Sequence, residues 1–460
     1  MNETKELVKH CFELSWETFS NDVIDKVKYL TLDFLGVASR GSLSDSSQVM
    51  YAFLKELALD PEGSYVIGSD WRAMPQYAAL ANGTSAHSLE LDDVVNEASL
   101  HPAVAIFPAA FSASYLTKGP VKTFMEGVVL GYEVMIRLGK ALDPSAHYAQ
   151  GFHPTGTCGT MGAAITAAKI LGLDYNQMLN ALGIAGSQAA GSMEFLADGS
   201  WTKRMHPGWA AHSGLIAALL AKKGYTGPSS IIEGKAGFLH AYSPKSDPGK
   251  VLANWGHPFE IMKTSIKPHS CCRYIQAPID GILKITKENG IKAEEVEKVT
   301  LGILKTAFPI IVEPKELKYA PRSVVDAQFS MPFGAAVAIM DGKATLDEFV
   351  QEKVESKAVK ELMNKVECVQ DPELDKDFPK TWPATVEIRT KDGKTYKSYI
   401  EYPKGDPENP LSWDELIAKF HTLTAPVYSD KRRNYIVARV RELKSEDSLD
   451  TLCSLFQKDK

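Results

Sequence analysis

The stretch GTCGTMGAAITAAKILG, residues 156–172, decides the fold class. It combines small residues with a long apolar run and lacks the period-two alternation of a half-buried strand. PGWAAHSGLIAALLAKKG, residues 207–224, repeats this style. Because small side chains let helices approach closely, both stretches predict helices that pack into an all-helical core.

The helical style extends outward from these two stretches over the first 240 residues. Residues 22–40 place apolar side chains on one stripe and end at Gly41, which is typical of an amphipathic helix. Further helices are predicted at 103–117, 121–138, 157–171, 176–190 and 207–223, with Pro207 suited to a first helical position. The chain returns to predicted helix at 412–423 and 430–457.

The segment between these helical parts has a mixed pattern. Helices are predicted at 273–289 and 323–341, and a strand at 297–304. PATVEIRTKDGKTYKSYIEYP, residues 383–403, contains two alternating runs around Asp392-Gly393, which predicts a β-hairpin. The fold class is therefore predicted as mainly α. A large all-helical domain is formed from both chain ends, residues 1–265 and 401–460, with a smaller α+β domain at 266–400.

Length, charge and cysteine content narrow the class of protein. The 460 residues predict more than one domain. A net charge of −6 gives no overall attraction to nucleic acid or to an anionic membrane. The apolar stretches are too short to span a bilayer and the N-terminus does not resemble a secretory signal, so no membrane partner is expected. Six scattered cysteines favour a cytoplasmic location.

Several familiar motifs are missing from the sequence. It contains no P-loop, no G-x-G-x-x-G between a strand and a helix, no H-E-x-x-H and no G-x-S-x-G. No nucleotide cofactor and no metal are therefore expected. The chemistry that remains is general acid–base catalysis by His, Lys, Tyr and carboxylates.

The segment HSLELDDVVNEASLHP, residues 87–102, is the first candidate for such chemistry. A helix through its start would carry three residues on one face, namely His87, Glu90 and Val94. Asp92 and Asp93 would follow where that helix ends, and His101 precedes the next apolar helix. The alternative interpretation is a solvated acidic turn with an incidental histidine.

Three further segments carry candidate residues. In QGFHPTGTCGT (150–160), His153 precedes a helix whose N–H groups would suit a substrate carboxylate. In DGSWTKRMHPGWAAHSG (198–214), Lys203 and Arg204 form a local positive charge, although a solvated surface turn is the commoner fate of such a pair. In TSIKPHSCCRYIQAPID (264–280), Lys267 lies at the predicted domain junction, and the alternative there is a plain linker.

These four segments, in this order, resemble the MmgE/PrpD family over nearly the whole chain. The family includes 2-methylcitrate dehydratase, cis-aconitate decarboxylase and iminodisuccinate epimerase. The resemblance implies a helical domain built from both chain ends, a smaller α+β lid domain, a homodimer and no cofactor. It implies a cofactor-independent lyase that abstracts a proton next to a carboxylate of a small di- or tricarboxylic acid. A dehydratase ranks first, an epimerase second and a decarboxylase third.

The resemblance also implies roles for individual residues. His101 would move the proton, and Asp93 or Glu90 would orient its ring. Binding of the substrate would involve Glu90, Asp92, Lys203, Arg204, His153 and Lys267. Its carboxylates would be bound by Lys203, Lys267 and the helix end near His153. Tyr319 or His153 would return a proton, and closure of the lid would bring Lys267 and Tyr319 into place.

One position departs from the family pattern. Val94 follows the acidic pair where dehydratase and decarboxylase relatives often carry a hydroxyl residue. A substrate carboxylate or hydroxyl therefore loses a donor here, and the spacing to His101 also differs from the decarboxylase pattern. Both differences point to a substrate other than that of the best-known relatives.

Overall fold

The computed structural model describes residues 2–458 and divides into two units. The first unit comprises Met1–Ser88, Asp92–Thr264 and Ser412–Lys460, and the second comprises Leu89–Leu91 and Ser265–Leu411. The predicted boundary at residue 400 differs from this division, since the second unit runs on to Leu411. The second unit also includes three residues from the middle of the 87–102 segment.

Helices dominate the described residues, which confirms the mainly α prediction. In chain order they are α1 Glu3–Glu13, α2 Asn21–Gly41, α3 Asp45–Leu57, α4 Pro75–Ala86, α5 Ala103–Thr117, α6 Val121–Ala141, α7 Pro144–Ala149, α8 Pro154–Ile170, α9 Tyr175–Gly186, α10 Thr202–Lys222, α11 Phe238–Tyr242, α12 Gln276–Asn289, α13 Phe308–Ile311, α14 Lys315–Lys318, α15 Val324–Gln328, α16 Met331–Asp341, α17 Gln351–Glu355, α18 Lys357–Met363, α19 Trp413–Thr424, α20 Asp430–Arg441 and α21 Asp450–Cys453. The strands are β1 Leu59–Tyr65, β2 Arg72–Ala73, β3 Val296–Ile303, β4 Val366–Gln370, β5 Ala384–Thr390 and β6 Thr395–Ile400. Within the described part of the chain, no helix is both long and apolar enough to cross a membrane.

Small residues bring the helices of the first unit into close contact. A Cβ atom added to Gly83 of α4 would lie 2.6 Å from Cα of Gly208 on α10, so these two helices touch backbone to backbone. A Cβ atom on Gly214 of α10 would lie equally close, 2.6 Å, to Cβ of Ala163 on α8. The alanine- and glycine-rich stretches that predicted this core therefore form its closest helix contacts.

The segment between α4 and α5 is irregular rather than helical. The predicted helix through His87, Glu90 and Val94 is wrong, because α4 ends at Ala86. Glu90 has a φ of 54° and Ser99 a φ of 49°, values that a right-handed helix cannot include. Nδ1 of His87 lies 2.8 Å from Oδ2 of Asp92, so the chain folds back here and does not continue as a helix.

Other helix boundaries also differ from the prediction. Pro207 lies inside α10, which already begins at Thr202, and not at its first position. The predicted helix 323–341 is split into α15 and α16, because the Ser330 side chain caps the second part by accepting from the backbone N–H of Phe333. The predicted helix 430–457 is interrupted between α20 and α21. Strands β1, β2 and β4 were not predicted.

The second unit contains a four-stranded sheet in the order β4-β3-β5-β6. β3 pairs with β4 in parallel and with β5 antiparallel, and β5 pairs with β6 antiparallel. The predicted hairpin joins β5 to β6, and Gly393 takes the positive φ of 83° that its turn requires. α12 and α16 pack together beside this sheet.

Candidate active site

His101 is held by contacts on one edge of its imidazole ring. Its Nδ1 lies 2.6 Å from the backbone carbonyl oxygen of Asp93 and 3.1 Å from Oδ2 of Asp92. Because a carbonyl oxygen only accepts hydrogen bonds, Nδ1 carries a hydrogen. Nε2 is therefore the ring atom that takes up or releases a proton. The His101 side chain is 12% exposed and therefore more accessible than the Asp92 side chain, which is 2% exposed.

The Asp93 carboxyl group has partners other than the ring of His101. Its Oδ1 accepts from the backbone N–H of Ala103 at 2.9 Å, and its Oδ2 accepts from the hydroxyl of Tyr132 at 2.7 Å. Burial raises the pKa of Asp93 to about 7, although these two donors act in the opposite direction. A carboxylate beside the His101 ring is that of Asp92, which the sequence had not assigned to this task, whereas Asp93 contributes its backbone carbonyl oxygen.

A second imidazole contacts the same Asp92 oxygen. His87 directs its Nδ1 to Oδ2 of Asp92 at 2.8 Å, and both side chains are buried. The ring centroids of His87 and His101 are 5.1 Å apart. One carboxylate oxygen therefore lies between two histidines.

His153 and His206 form a direct pair in the same unit. Their Nδ1 atoms are 3.1 Å apart, and the His153 ring stacks on His87 with a centroid distance of 5.7 Å. Burial lowers the pKa of His153 well below its usual value and that of His206 to about 4, and neighbouring positive charge adds to both effects. Both rings are therefore neutral near pH 7. His153 directly precedes α8, as the sequence predicted.

Lys203 and Arg204 belong to the first turn of α10, and Lys203 is linked electrostatically to two of the histidines. Lys203 is buried, and its charge lowers the pKa of both His153 and His206. Arg204 donates from Nη1 to the hydroxyl of Ser46 at 3.1 Å. The structure thus groups Lys203 with the histidines and directs Arg204 toward the start of α3.

Glu90 and Lys267 lie together in the second unit. Nζ of Lys267 is 3.7 Å from Oε2 of Glu90, and both side chains are buried. At this distance the two charges form a buried ion pair. Two residues that are far apart in the sequence therefore share one charged contact.

Tyr319 lies in the second unit at the end of α14. Its hydroxyl donates to the backbone carbonyl of Val366 at 2.9 Å, and burial raises its pKa above the usual value. The hydroxyl is thus neutral and bound to strand β4. Any role in proton return would require it to leave this acceptor.

Two histidines of this group, His87 and His206, were not among the site residues predicted from the sequence. A usable signal existed for His206, since it follows Lys203 by three residues and so lies on the same face of α10. His87 was seen but was placed on a helix face with Glu90. Among residues 2–458, no group of three or more His, Cys, Asp or Glu side chains is arranged to hold a metal ion.

Comparison with known proteins covers most of the chain. The MmgE/PrpD N-terminal domain matches residues 5–250, and the MmgE/PrpD C-terminal domain matches residues 269–443.

Individual relatives match over almost their full length. The cis-aconitate decarboxylase-like protein oryM of Aspergillus oryzae is 28% identical, covering 99% of this chain and 97% of the relative. The cis-aconitate decarboxylase of Aspergillus terreus is 28% identical, with 93% and 90% covered. The 2-methylcitrate dehydratase of Salmonella typhimurium is 20% identical, with 95% of each chain covered. With both domains matched in order, the chain belongs to the MmgE/PrpD family.

Proposed function

We propose that this protein is a lyase that acts on a small di- or tricarboxylic acid by proton transfer at the carbon next to a carboxylate. The observation that carries the proposal is His101. Its Nδ1 carries the hydrogen that faces two acceptors, so in the neutral ring Nε2 carries the lone pair that can exchange a proton with a substrate. The relatives named above are a carboxy-lyase and a hydro-lyase.

His101 would supply the proton or remove it, depending on the outcome. In a decarboxylation the C–CO₂ bond breaks, the electron pair stays on carbon, and imidazolium Nε2 donates the proton that replaces CO₂. In a dehydration, neutral Nε2 removes the proton from carbon and the neighbouring C–O bond breaks with loss of hydroxide, which is protonated to water. Asp92 favours the imidazolium form because its carboxylate is 3.1 Å away.

Lys203 is the proposed carboxylate ligand of the first unit. Its ammonium group is buried beside two neutral imidazoles. A positive charge in such surroundings stabilises a substrate carboxylate and the negative charge that develops next to it. His153 would add a polar contact, and the pair Glu90–Lys267 and Tyr319 have proposed roles that rest on the family resemblance.

Decarboxylation of a cis-aconitate-like acid is our first candidate reaction, and dehydration of a 2-methylcitrate-like acid is the second. The sequence had ranked them in the opposite order. Identity of 28% to the Aspergillus terreus decarboxylase, against 20% to the Salmonella dehydratase, supports the change. Epimerisation of an amino- or imino-dicarboxylate is the third candidate, since it needs the same proton transfer at carbon.

A homodimer is proposed from an exposed apolar face of the first unit. Val49, Phe53 and Leu57 follow each other at intervals of four on α3 and are 60%, 54% and 55% exposed. Exposed apolar stripes of this kind mark protein interfaces. A cytoplasmic location is proposed because the six cysteines are buried and form no disulfide within the described part of the chain.

Proton NMR in D₂O distinguishes the three reactions in one experiment. The protein is incubated with cis-aconitate, citrate, 2-methylcitrate and chiral amino- or imino-dicarboxylates. Loss of CO₂, loss of water, and deuterium exchange with inversion give different spectra. The matched pair of variants is His101→Ala and His240→Ala, the latter removing an exposed histidine.

The proposal predicts a clear difference between these two variants. His101→Ala should lower the rate on the order of 10²- to 10⁴-fold, and His240→Ala should match the wild type. Both should unfold at the wild-type temperature within a few degrees. A His101→Ala protein that converts its substrate at the wild-type rate would overturn the role of His101. EDTA is expected to leave the rate unchanged.

A further inference from the structure

The pair His87–Asp92 lies directly behind His101. Oδ2 of Asp92 is 2.8 Å from Nδ1 of His87 and 3.1 Å from Nδ1 of His101. His87 is fully buried, and Asp92 is 2% exposed. A single carboxylate oxygen thus contacts both imidazoles in a region that water barely reaches.

The hydrogen-bond pattern gives each member a defined role. His87 donates from Nδ1 to Asp92, because a carboxylate only accepts. The Nδ1–H of His101 faces both the Asp92 carboxylate and the Asp93 carbonyl. Nε2 of His87 is buried with no hydrogen-bond partner among the described residues, so the contact with Asp92 is what orients its ring.

We infer that Asp92 is a positioning residue for His101, and that His87 acts through Asp92 by holding its carboxylate in the orientation seen. The inference rests on the proposed function, since it assigns a task to His101. Asp92 would keep Nδ1 of His101 protonated and would stabilise the imidazolium form. His87 would prevent the carboxylate from rotating away. Neither residue needs to touch the substrate.

A purely structural role for the pair makes a different prediction. A buried histidine–aspartate contact that only fixes the 87–102 segment would affect stability and leave the proton affinity of His101 unchanged. A positioning role would change kcat and the pH at which His101 titrates, with little effect on KM. Titratable groups near His101 include Asp93, whose backbone carbonyl faces Nδ1, and His153, whose pKa the charge of His101 lowers; His206 and Lys203 act on His153 in the same way. All four residues stay unchanged in the variants below.

Three variants separate the two roles. Asp92→Asn keeps the shape and removes the charge. His87→Asn keeps an N–H donor at the place of Nδ1, whereas His87→Leu removes the donor and keeps an apolar side chain of similar size. We expect kcat to fall on the order of 10²-fold in Asp92→Asn and at least tenfold in His87→Leu, with KM changed less than twofold. His87→Asn should retain kcat within threefold of the wild type.

The pH profile supplies the readout that a structural role would not move. The limb of kcat/KM that reports His101 is the alkaline limb if its imidazolium donates the proton, as in decarboxylation, and the acid limb if its neutral ring removes one, as in dehydration. That limb should shift to lower pH by at least half a unit in Asp92→Asn and in His87→Leu, because the imidazolium loses its carboxylate partner. It should stay in place in His87→Asn. An unshifted limb in Asp92→Asn, or equal losses in the two His87 variants, would overturn the inference.

Histidine NMR tests the same point without a substrate. In ¹⁵N-labelled wild-type protein, the His101 signal is assigned by its loss in His101→Ala. It should show the Nδ1–H tautomer when neutral, and its titration should move to lower pH in Asp92→Asn. An Nε2–H tautomer in the wild type would refute the inference, even if a variant fails to fold. Failure of every compound in the panel would count against the proposed function alone, because the tautomer and its titration would still be measured.

Discussion

Replacing Asp93 with Asn should make the protein more stable at neutral pH. The Asp93 carboxyl group is fully buried between the Tyr132 hydroxyl and the Ala103 N–H, and burial raises its pKa from 3.8 to about 7. An asparagine has the same shape. Its carbonyl oxygen can accept from Ala103, and its amide can donate to the oxygen of Tyr132. The substitution therefore removes the titration and keeps two polar contacts.

The size of the effect follows from the difference between the two pKa values. Between pH 4 and 7 the unfolded chain ionises at this position while the folded chain keeps the proton. Because the folded state then binds more protons, stability falls as pH rises, by about 1.4 kcal/mol per pH unit. From pH 5 to pH 7 the loss is about 2.3 kcal/mol, because the slope already falls as pH nears the folded-state pKa of about 7, and it levels off above that pH. The first unit has roughly 310 residues, and each contributes an unfolding entropy of about 2.1 cal/mol/K. The loss in free energy of unfolding therefore corresponds to a fall of about 4 °C in the unfolding midpoint.

Thermal unfolding at pH 5 and pH 7 measures this difference. The wild-type midpoint should fall by about 4 °C more than the Asp93→Asn midpoint over this interval. Asp143→Asn is the matched control, because Asp143 caps α7 and asparagine caps a helix equally well. The control should follow the wild type at both pH values. An Asp93→Asn protein that is less stable at both pH values, with the wild-type slope, would refute the reasoning.

Three further predictions concern packing, binding and selectivity. Gly208→Ala should destabilise the protein by about 3 kcal/mol, because its Cβ would meet a backbone oxygen of α4 at 2.3 Å. Gly119→Ala is the control and should be neutral, since its Cβ would meet nothing closer than 3.4 Å. Urea unfolding compares the stabilities of the two variants. Lys203→Met should raise KM for the carboxylate substrate at least tenfold in steady-state kinetics, and Arg204→Met should raise it less than threefold. Equal effects of the two substitutions would contradict the proposal that Lys203 is the carboxylate ligand. Val94→Thr adds a buried hydroxyl at nearly constant volume. It should raise the ratio of kcat/KM for a tricarboxylate to kcat/KM for a dicarboxylate at least threefold. An unchanged ratio would show that residue 94 does not determine substrate selectivity.

Local sequence patterns predicted most helices of the core. These helices pack through small residues, and runs of small residues can be recognised in the sequence. The stretch 156–172 identified α8, and the run 103–117 matches α5 at both ends. The strands β2 and β4 escaped notice because they are short, with two and five residues. β1 escaped notice because it contains Pro61 and Gly63, which indicate a turn rather than a strand. The segment after α4 was misread because the spacing of His87, Glu90 and Val94 fits one face of a helix, whereas α4 ends at Ala86 and Glu90 takes a φ of 54°.

The candidate site was harder to predict than the fold, since its contacts join separate segments. His101 and His153 stood out through the prolines that follow them, and Lys203 through its charge. Which carboxylate faces His101 could not be read from two adjacent aspartates, because their side chains point to different partners in an irregular segment. Only the three-dimensional arrangement shows that Asp92 faces the imidazole and that Asp93 contributes its carbonyl oxygen.

The neutral state of His153 and His206 limits what this group of side chains can do. Two neutral rings joined through their Nδ1 atoms require one Nδ1–H donor and one Nδ1 acceptor, so the pair offers one lone pair and one N–H on its outer nitrogens. Such a pair attracts an anion only weakly, so in the proposed reaction the positive charge for a substrate carboxylate comes from Lys203. With both rings neutral, we propose that His101, which lies beside the Asp92 carboxylate, is the group whose charge changes during the reaction.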